Sequence, residues 1–304
     1  MVESGWIEVD APSVTLRALE WKPRKDSKGA PIALCLHGFP DTAHGWRLIA
    51  PLLAAAGWRV VAPFMRGYAP STIPSDGSYH VGALMDDARR VLNHVGPTGG
   101  DVIIGHDWGA IAGSGLAAMT GGPFTKAVIM SVPPAASFRP FRRVPHAGRL
   151  AAHLPRQLLR SWYILYFQLP AVPERSASWV PRRLWRRWSP GYNAAADLRH
   201  VDAAIGTSES WRAALGPYRA VVRNTRPPSQ YVELHQHWLA PLALPTLYLH
   251  GNDDGCASAD YAEWVEHALP PGSALHRVDD AGHFLQLEQP DVVAGHILDF
   301  IGRG

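Results

Sequence analysis

Short apolar runs, each ending in a turn marked by glycine or proline, set the narrowest limits on how this 304-residue chain can fold. They read "PIALCLHGFP" (31–40), "WRVVAPFMRGYAPS" (58–71), "DVIIGHDWG" (101–109), "TKAVIMSVPP" (125–134), "PTLYLHG" (245–251) and "ALHRVDD" (274–280). Between them lie stretches with helical spacing. Residues 45–56 stop at Gly57, residues 80–95 stop at Gly96, a small-residue helix follows "DVIIGHDWG" as far as Met119, and a last helix covers about Val292–Ile301. Strands that are continuously apolar and alternate with helices belong to a mostly parallel sheet covered on both faces. Two further strands, Trp6–Val9 and Val14–Trp21, are separated by the turn "DAPS" and precede the series.

The alternation stops at Pro133–Pro134 and resumes at Pro245. The intervening stretch is helical in pattern and differs in charge. From Arg139 to Arg226 there are 16 arginines, no lysine and four acids, which leaves 13 basic and 22 acidic residues elsewhere. We therefore expect an α/β core formed by residues 1–134 and 228–304, with a helical cap of residues 135–227 inserted after the sixth strand. Such a cap lies over the carboxyl ends of the strands, where open α/β sheets bind ligands.

Composition narrows the function classes. With 47% hydrophobic and 18% charged residues the chain has an ordinary globular make-up. Its apolar runs are strand-length, too short to span a bilayer, and "MVESGWIEVD" lacks the pattern of a secretory signal. Cys35 and Cys256 form no metal-ligand spacing. The expectation is a cytoplasmic protein without metal or cofactor. Nothing beyond charge suggests nucleic acid. The mixed Arg/Trp stretch "SWVPRRLWRRW" allows weak contact with a membrane surface, beside the plainer reading of a solvated face. Oligomeric state is not legible.

Three candidate catalytic residues fall at strand ends. "GHDWGAIAG" has the spacing of a nucleophile elbow, G-x-S-x-G, with Asp107 in the serine position. Asp254 follows "TLYLHG" and His283 follows the last strand. The order nucleophile, acid, histidine is that of α/β-hydrolases. Asp253 competes with Asp254 for the acid, and the usual G-x-x-D interval selects Asp254. The loop "HGFP" supplies the Phe39 N–H which, with the Trp108 N–H, would form an oxyanion hole. His37, inside that turn, reads as structural.

A carboxylate at an elbow has its own chemistry. It is ionised at neutral pH, with an ordinary pKa of about 3.9, and needs no base to activate it. It attacks acyl groups poorly, because the product is an anhydride. It displaces leaving groups from saturated carbon to give a stable ester, which water activated by a histidine then hydrolyses. The implied substrates are epoxides or alkyl halides, with water as co-substrate.

"HGFPDTAHGW", "GHDWGA", "YLHGNDDG" and "AGHFLQLEQP" together resemble the epoxide hydrolase branch of the α/β-hydrolases, related to the haloalkane and haloacetate dehalogenases. The resemblance runs from about residue 5 to 302. It implies two cap tyrosines that protonate the opening epoxide, matched here by Tyr163 and Tyr218, with Tyr166 as fallback. Phe39, Trp108, Trp162 and Tyr166 would line the substrate site, and the aromatic cap suits an apolar or aryl epoxide.

Two alternatives stay open. A haloalkane dehalogenase would use the same nucleophile and bind halide through N–H donors. Members with "HGNP" use the Asn, where this chain has Phe39, so Trp108 with Trp162 or Trp211 would have to serve. Haloacid substrates need an arginine after the nucleophile, where Trp108 and Ile111 stand. A non-catalytic ligand-binding protein on the same fold is the second alternative.

Overall fold

The computed structural model describes residues 4–23, 29–138 and 147–302. Residues 139–146 of the expected cap, with Arg139, Arg142 and Arg143, lie outside the described residues. One eight-stranded sheet organises the chain. Its strands are β1 (Gly5–Ala11), β2 (Val14–Trp21), β3 (Ile32–Leu36), β4 (Arg59–Pro63), β5 (Val102–His106), β6 (Lys126–Met130), β7 (Thr246–Gly251) and β8 (Ala274–Val278). The order is β1-β2-β4-β3-β5-β6-β7-β8, with β2 antiparallel to both neighbours and all later pairs parallel. Every residue of β3, β5 and β7 is buried, as expected of strands covered on both faces.

Helices α1 (Ala50–Ala55), α2 (Val81–Val95) and α3 (Trp108–Ala117) follow β3, β4 and β5. The helix expected over 45–56 is divided. Residues Ala43–Trp46 form a 3₁₀ turn, and α1 begins only at Ala50, with Pro51 in its first turn. Proline lacks the N–H that would bond back into a preceding turn, so the break falls there. Helix α2 matches its expected span, and Gly96 ends it at φ 85°.

Between β6 and β7 the described residues form only helices and turns. They are α4 (Ala147–Arg160), α5 (Trp162–Tyr166), α6 (Val180–Trp188), α7 (Ala195–Ile205), α8 (Ser208–Ala214), α9 (Gly216–Val222) and α10 (Val232–His235). Helix α10 lies against α2. The chain then adds α11 (Ala262–Glu266), α12 (Leu285–Glu288) and α13 (Pro290–Ile301) around β7 and β8. No described helix is long and apolar enough to cross a membrane.

Helix α6 ties the inserted helices to the strand ends. It turns Val180, Leu184, Trp185 and Trp188 inward and four arginines outward. The Trp185 indole N–H donates to the Pro40 carbonyl at 2.8 Å, and its ring stacks on Phe284 with centroids 3.5 Å apart. The Trp188 carbonyl accepts from Gly255 N–H (3.1 Å) and His283 N–H (2.9 Å). One carbonyl thus spans the loops after β7 and β8.

The turn from β5 into α3 brings helix and sheet closer than side chains permit. A Cβ on Gly109 would overlap the Leu36 carbonyl oxygen, and one on Gly105 would overlap the Gly109 carbonyl. Overpacking against backbone typically costs about 1–3 kcal/mol. We predict that Gly109→Ala lowers the unfolding free energy by that amount, read as a lower urea midpoint at unchanged m-value. Gly100→Ala, whose Cβ would meet Pro31 at an ordinary 3.7 Å, should be nearly neutral. Equal midpoints for the two variants would refute the close-approach argument.

Candidate active site

Asp107 occupies the single residue between β5 and α3, at φ 53° and ψ −116°. A non-glycine residue with positive φ is strained, and such strain collects at functional sites. The conformation points the carboxylate at the loop after β3. The Phe39 N–H donates to Asp107 Oδ1 at 2.7 Å. The Trp108 N–H opens α3 beside it. Gly38 admits this arrangement, since a Cβ there would overlap both the Asp107 side chain and the Trp108 nitrogen.

His283 stands on the other side. Its Nε2 lies 3.6 Å from Asp107 Oδ2, an ion-pair distance rather than a hydrogen bond, and has no other partner. Its Nδ1 is 2.9 Å from Asp254 Oδ2. The ring is held from behind as well, because the His283 carbonyl accepts from Ser131 Oγ (2.7 Å) and from His106 Nε2 (2.9 Å). Asp254 Oδ1 accepts the N–H groups of Cys256 (2.6 Å) and Ala257 (3.1 Å). The side chain that reaches the histidine is therefore that of Asp254. Asp253 lies next to it with its backbone N–H bonded to the Ala281 carbonyl.

One participant escapes sequence reasoning. His250, inside β7, places Nε2 3.3 Å from Asp254 Oδ2, while its Nδ1 lies 2.6 Å from the Tyr248 hydroxyl. The only hint was a histidine within an otherwise apolar strand, four residues before the acid. His37 spends both ring nitrogens locally. Nε2 accepts from Met65 N–H at 3.0 Å, so Nδ1 must donate to the Gly38 carbonyl at 2.9 Å.

The electrostatics follow from three buried ionisable groups in a row. Burial alone would raise the Asp254 pKa, but the His283 charge and hydrogen bonds from His250 and His283 hold it well below the carboxylate range. Burial likewise opposes ionisation of Asp107 and is outweighed by His283, with His106 and the Phe39 N–H helping, so its pKa is lowered. Burial lowers the pKa of His283, yet the charges of Asp254 and Asp107 raise it to about 10. All three shifts favour two carboxylates around one imidazolium at neutral pH.

Above this cluster the inserted helices form an aromatic roof. Tyr163, on α5, and Tyr218, on α9, are buried with ring centroids 5.6 Å apart. Tyr218 also packs edge-on against Trp108 (4.9 Å) and Phe39 (5.3 Å). The Tyr163 hydroxyl lies 3.6 Å from Cys256 Sγ, and among the described residues the Tyr218 hydroxyl has no hydrogen-bond partner. Burial, reinforced by neighbouring charges that include Asp107, keeps both phenols protonated well above their ordinary pKa. Trp162 and Tyr166 touch this group only at its outer edge, Trp162 meeting Tyr163 edge-on at 6.4 Å and Tyr166 meeting Phe167 at 5.9 Å. They cluster with Trp179, and Trp162 lines an outer cleft with Leu159 and Arg183.

Among the described residues, Asp254, Cys256 and His283 place ligand atoms within 4.8 Å of one another, the only such metal-sized group. The Asp254 oxygens are already engaged by two amides and two histidines, which suits orientation of a histidine better than coordination of a cation.

The sequence pattern of the α/β hydrolase fold family matches residues 31–290. The chain belongs to that family. It is 27% identical to epoxide hydrolase A of Mycobacterium tuberculosis, over 96% of each chain. It is also 27% identical to epoxide hydrolase 4 of Mus musculus, over 90% of this chain and 74% of the mouse protein. Among solved structures it is similar to an epoxide hydrolase from an endophytic Streptomyces, with TM-score 0.72 and 25% identity over 98% of this chain and 95% of that one. An α/β-hydrolase from hot-environment metagenomes has the same fold, with TM-score 0.77 and 24% identity over 99% and 100% of the two chains.

The buried imidazolium predicts a pH dependence of stability. A histidine whose pKa rises from 6.5 to about 10 on folding contributes stability that is complete below 6.5 and is lost as pH climbs through about 10. The melting temperature of the wild type should fall across that window. His283→Gln should lack this part of the decline, and an identical slope in the variant would show that His283 is not charged in the folded protein.

Proposed function

We propose that this hydrolase opens epoxides to vicinal diols through an ester on Asp107. The observation that carries the reading is an elbow carboxylate with one oxygen bonded to a backbone N–H and the other facing the Nε2 of His283. Relatives bearing the epoxide hydrolase name over nearly the whole chain support the substrate class.

In the first step Asp107 Oδ2 attacks an epoxide carbon while Oδ1 stays on the Phe39 N–H. The carbon–oxygen bond of the ring breaks, and the alkoxide takes a proton from Tyr163 or Tyr218. Forming the ester removes one of the two negative charges that hold the proton on His283. Its pKa falls, and the proton it sheds matches the one the phenolate must regain. Neutral His283, oriented by Asp254, then takes a proton from water as the water oxygen adds to the ester carbonyl. Phe39 N–H and Trp108 N–H would stabilise the oxyanion, a role typically worth 10²–10³ in rate per donor. Collapse releases the diol with one water proton, and the other stays on His283, restoring the resting charge. The diol carries an oxygen from Asp107, and the oxygen of water remains in the carboxylate.

The cap of residues 135–227 would serve as the lid, its α5 and α9 supplying both tyrosines and excluding bulk water, with an apolar or aryl epoxide seated beneath them and Phe39 and Trp108 lining the seat. Trp162, which lines the outer cleft, and Tyr166, packed against Trp162 and Trp179, would act on the lid rather than on the substrate. Two unpaired buried thiols, Cys35 and Cys256, suit a reducing compartment such as the cytoplasm. The halide reading is weaker. Phe39 offers no side-chain donor, and the Trp211 indole N–H is committed to the Pro173 carbonyl at 2.7 Å.

The decisive test is single turnover of His283→Gln with a mixture of epoxides and alkyl bromides of distinct mass. Intact-protein and peptide mass spectra should show hydroxyalkyl adducts on Asp107. Simple alkyl adducts would make the enzyme a dehalogenase, and no adduct from either set would overturn the covalent mechanism. Asp107→Ala should show no measurable turnover. Replacing both Tyr163 and Tyr218 with phenylalanine should slow ester formation by about 10²–10⁴, the usual worth of general acid catalysis.

A further inference from the structure

Helices α4 and α5 expose an apolar stripe that neither the sheet nor the proposed chemistry uses. Leu158, Trp162 and Leu165 recur at the spacing of one helix face, and exposed Leu169 follows just beyond the end of α5. The run is continuous, because Ser161 N–H still bonds to the Gln157 carbonyl at 2.8 Å. Leu158 is 66% exposed, Leu159 74% and Leu165 67%. Large leucines exposed side by side, with polar neighbours at the edge, mark an interaction surface more often than chance scatter does.

The edge of the stripe has a definite chemistry. Beside it opens a surface cleft of about 470 Å³ lined by Leu159, Trp162, Trp179, Arg183 and Arg187. Trp162 and Trp179 lie parallel with centroids 6.3 Å apart, and the Arg183 guanidinium sits 5.8 Å from the Trp162 ring centre. The outward face of α6 adds Arg182 and Arg186, both exposed. Arg182 pairs with Asp202, but among the described residues no carboxylate pairs with Arg183, Arg186 or Arg187. The surface therefore combines exposed leucines, tryptophans placed between apolar and polar surroundings, and uncompensated arginines.

We propose that this face of α4, α5 and α6 docks on the surface of an anionic phospholipid bilayer, with Leu158, Leu159 and Leu165 entering the headgroup boundary and the α6 arginines on lipid phosphates. Interfacial helices have this composition, with leucine and tryptophan on the buried side and arginine at the rim. Anionic leaflets attract basic segments at about 1 kcal/mol per residue. A second copy of the chain fits less well, since a two-fold contact here would set the α6 arginines against themselves. Nucleic acid would use the arginines but leave the leucines in water. The inference concerns location only and stands whether or not Asp107 acts on epoxides.

Co-sedimentation of the full chain with vesicles tests it. Vesicles of phosphatidylcholine mixed with phosphatidylserine should pellet the protein, those of phosphatidylcholine alone should not, and added salt should release it. Arg183→Gln with Arg187→Gln should weaken binding about 30-fold, the equivalent of about 1 kcal/mol per arginine. Leu158→Ser with Leu159→Ser should weaken it independently, with circular dichroism and melting temperature unchanged in both variants. No pelleting, or equal pelleting on both kinds of vesicle, would overturn the proposal. So would a concentration-dependent dimer that the leucine variant abolishes, or release from anionic vesicles by a duplex DNA that binds the same arginines more tightly.

Discussion

The Asp254 carboxylate is the interaction on which the site depends. A buried carboxylate is costly unless hydrogen-bonded and paired, and this one satisfies both requirements. Two backbone amides of its own loop fix its position, while His283 approaches it from the turn after β8 and His250 from β7. Because Asp254 is held ionised, the His283 pKa rises in the interior, and His283 joins the Phe39 N–H in favouring the ionised form of Asp107. Each charge lowers the cost of the next. Removing any one would leave a buried charge uncompensated, the situation in which ion pairs cost most when broken.

That chain of charges spans elements far apart in sequence, so it needs a rigid frame. The parallel strands deliver Asp107, Asp254 and His283 to one edge of the sheet, and the Trp188 carbonyl clasps the loops carrying the last two. The same helix that makes this clasp carries the outward arginines, so α6 faces the chemistry on one side and the surroundings on the other. The aromatic roof is low in polarity, which keeps both tyrosines neutral and strengthens every electrostatic interaction beneath it.

Much of this was legible before any coordinates. Apolar runs with turn punctuation exposed the strands, since a strand buried on both faces must be apolar throughout. The elbow was legible because two glycines and a single polar residue are required where helix and strand cross closely. Asp253 and Asp254 are adjacent and chemically identical, and only the path of the loop determines which one meets the histidine. His250 was invisible as a partner because its role exists only across the gap between β7 and the following loop. Trp162 and Tyr163 are neighbours in sequence, yet α5 turns one outward and the other over the site. Helical phase decides this, and one residue changes it by about 100°.

The sequence by itself determined the fold class, the carboxylate at the elbow and the identity of the histidine, because each follows from local patterns that physics allows in few other settings. The tertiary structure alone decided which aspartate orients that histidine, that two carboxylates raise its pKa, and which aromatics roof the site. Those outcomes depend on distances between residues brought together only by packing, and on a burial that no stretch of sequence possesses alone.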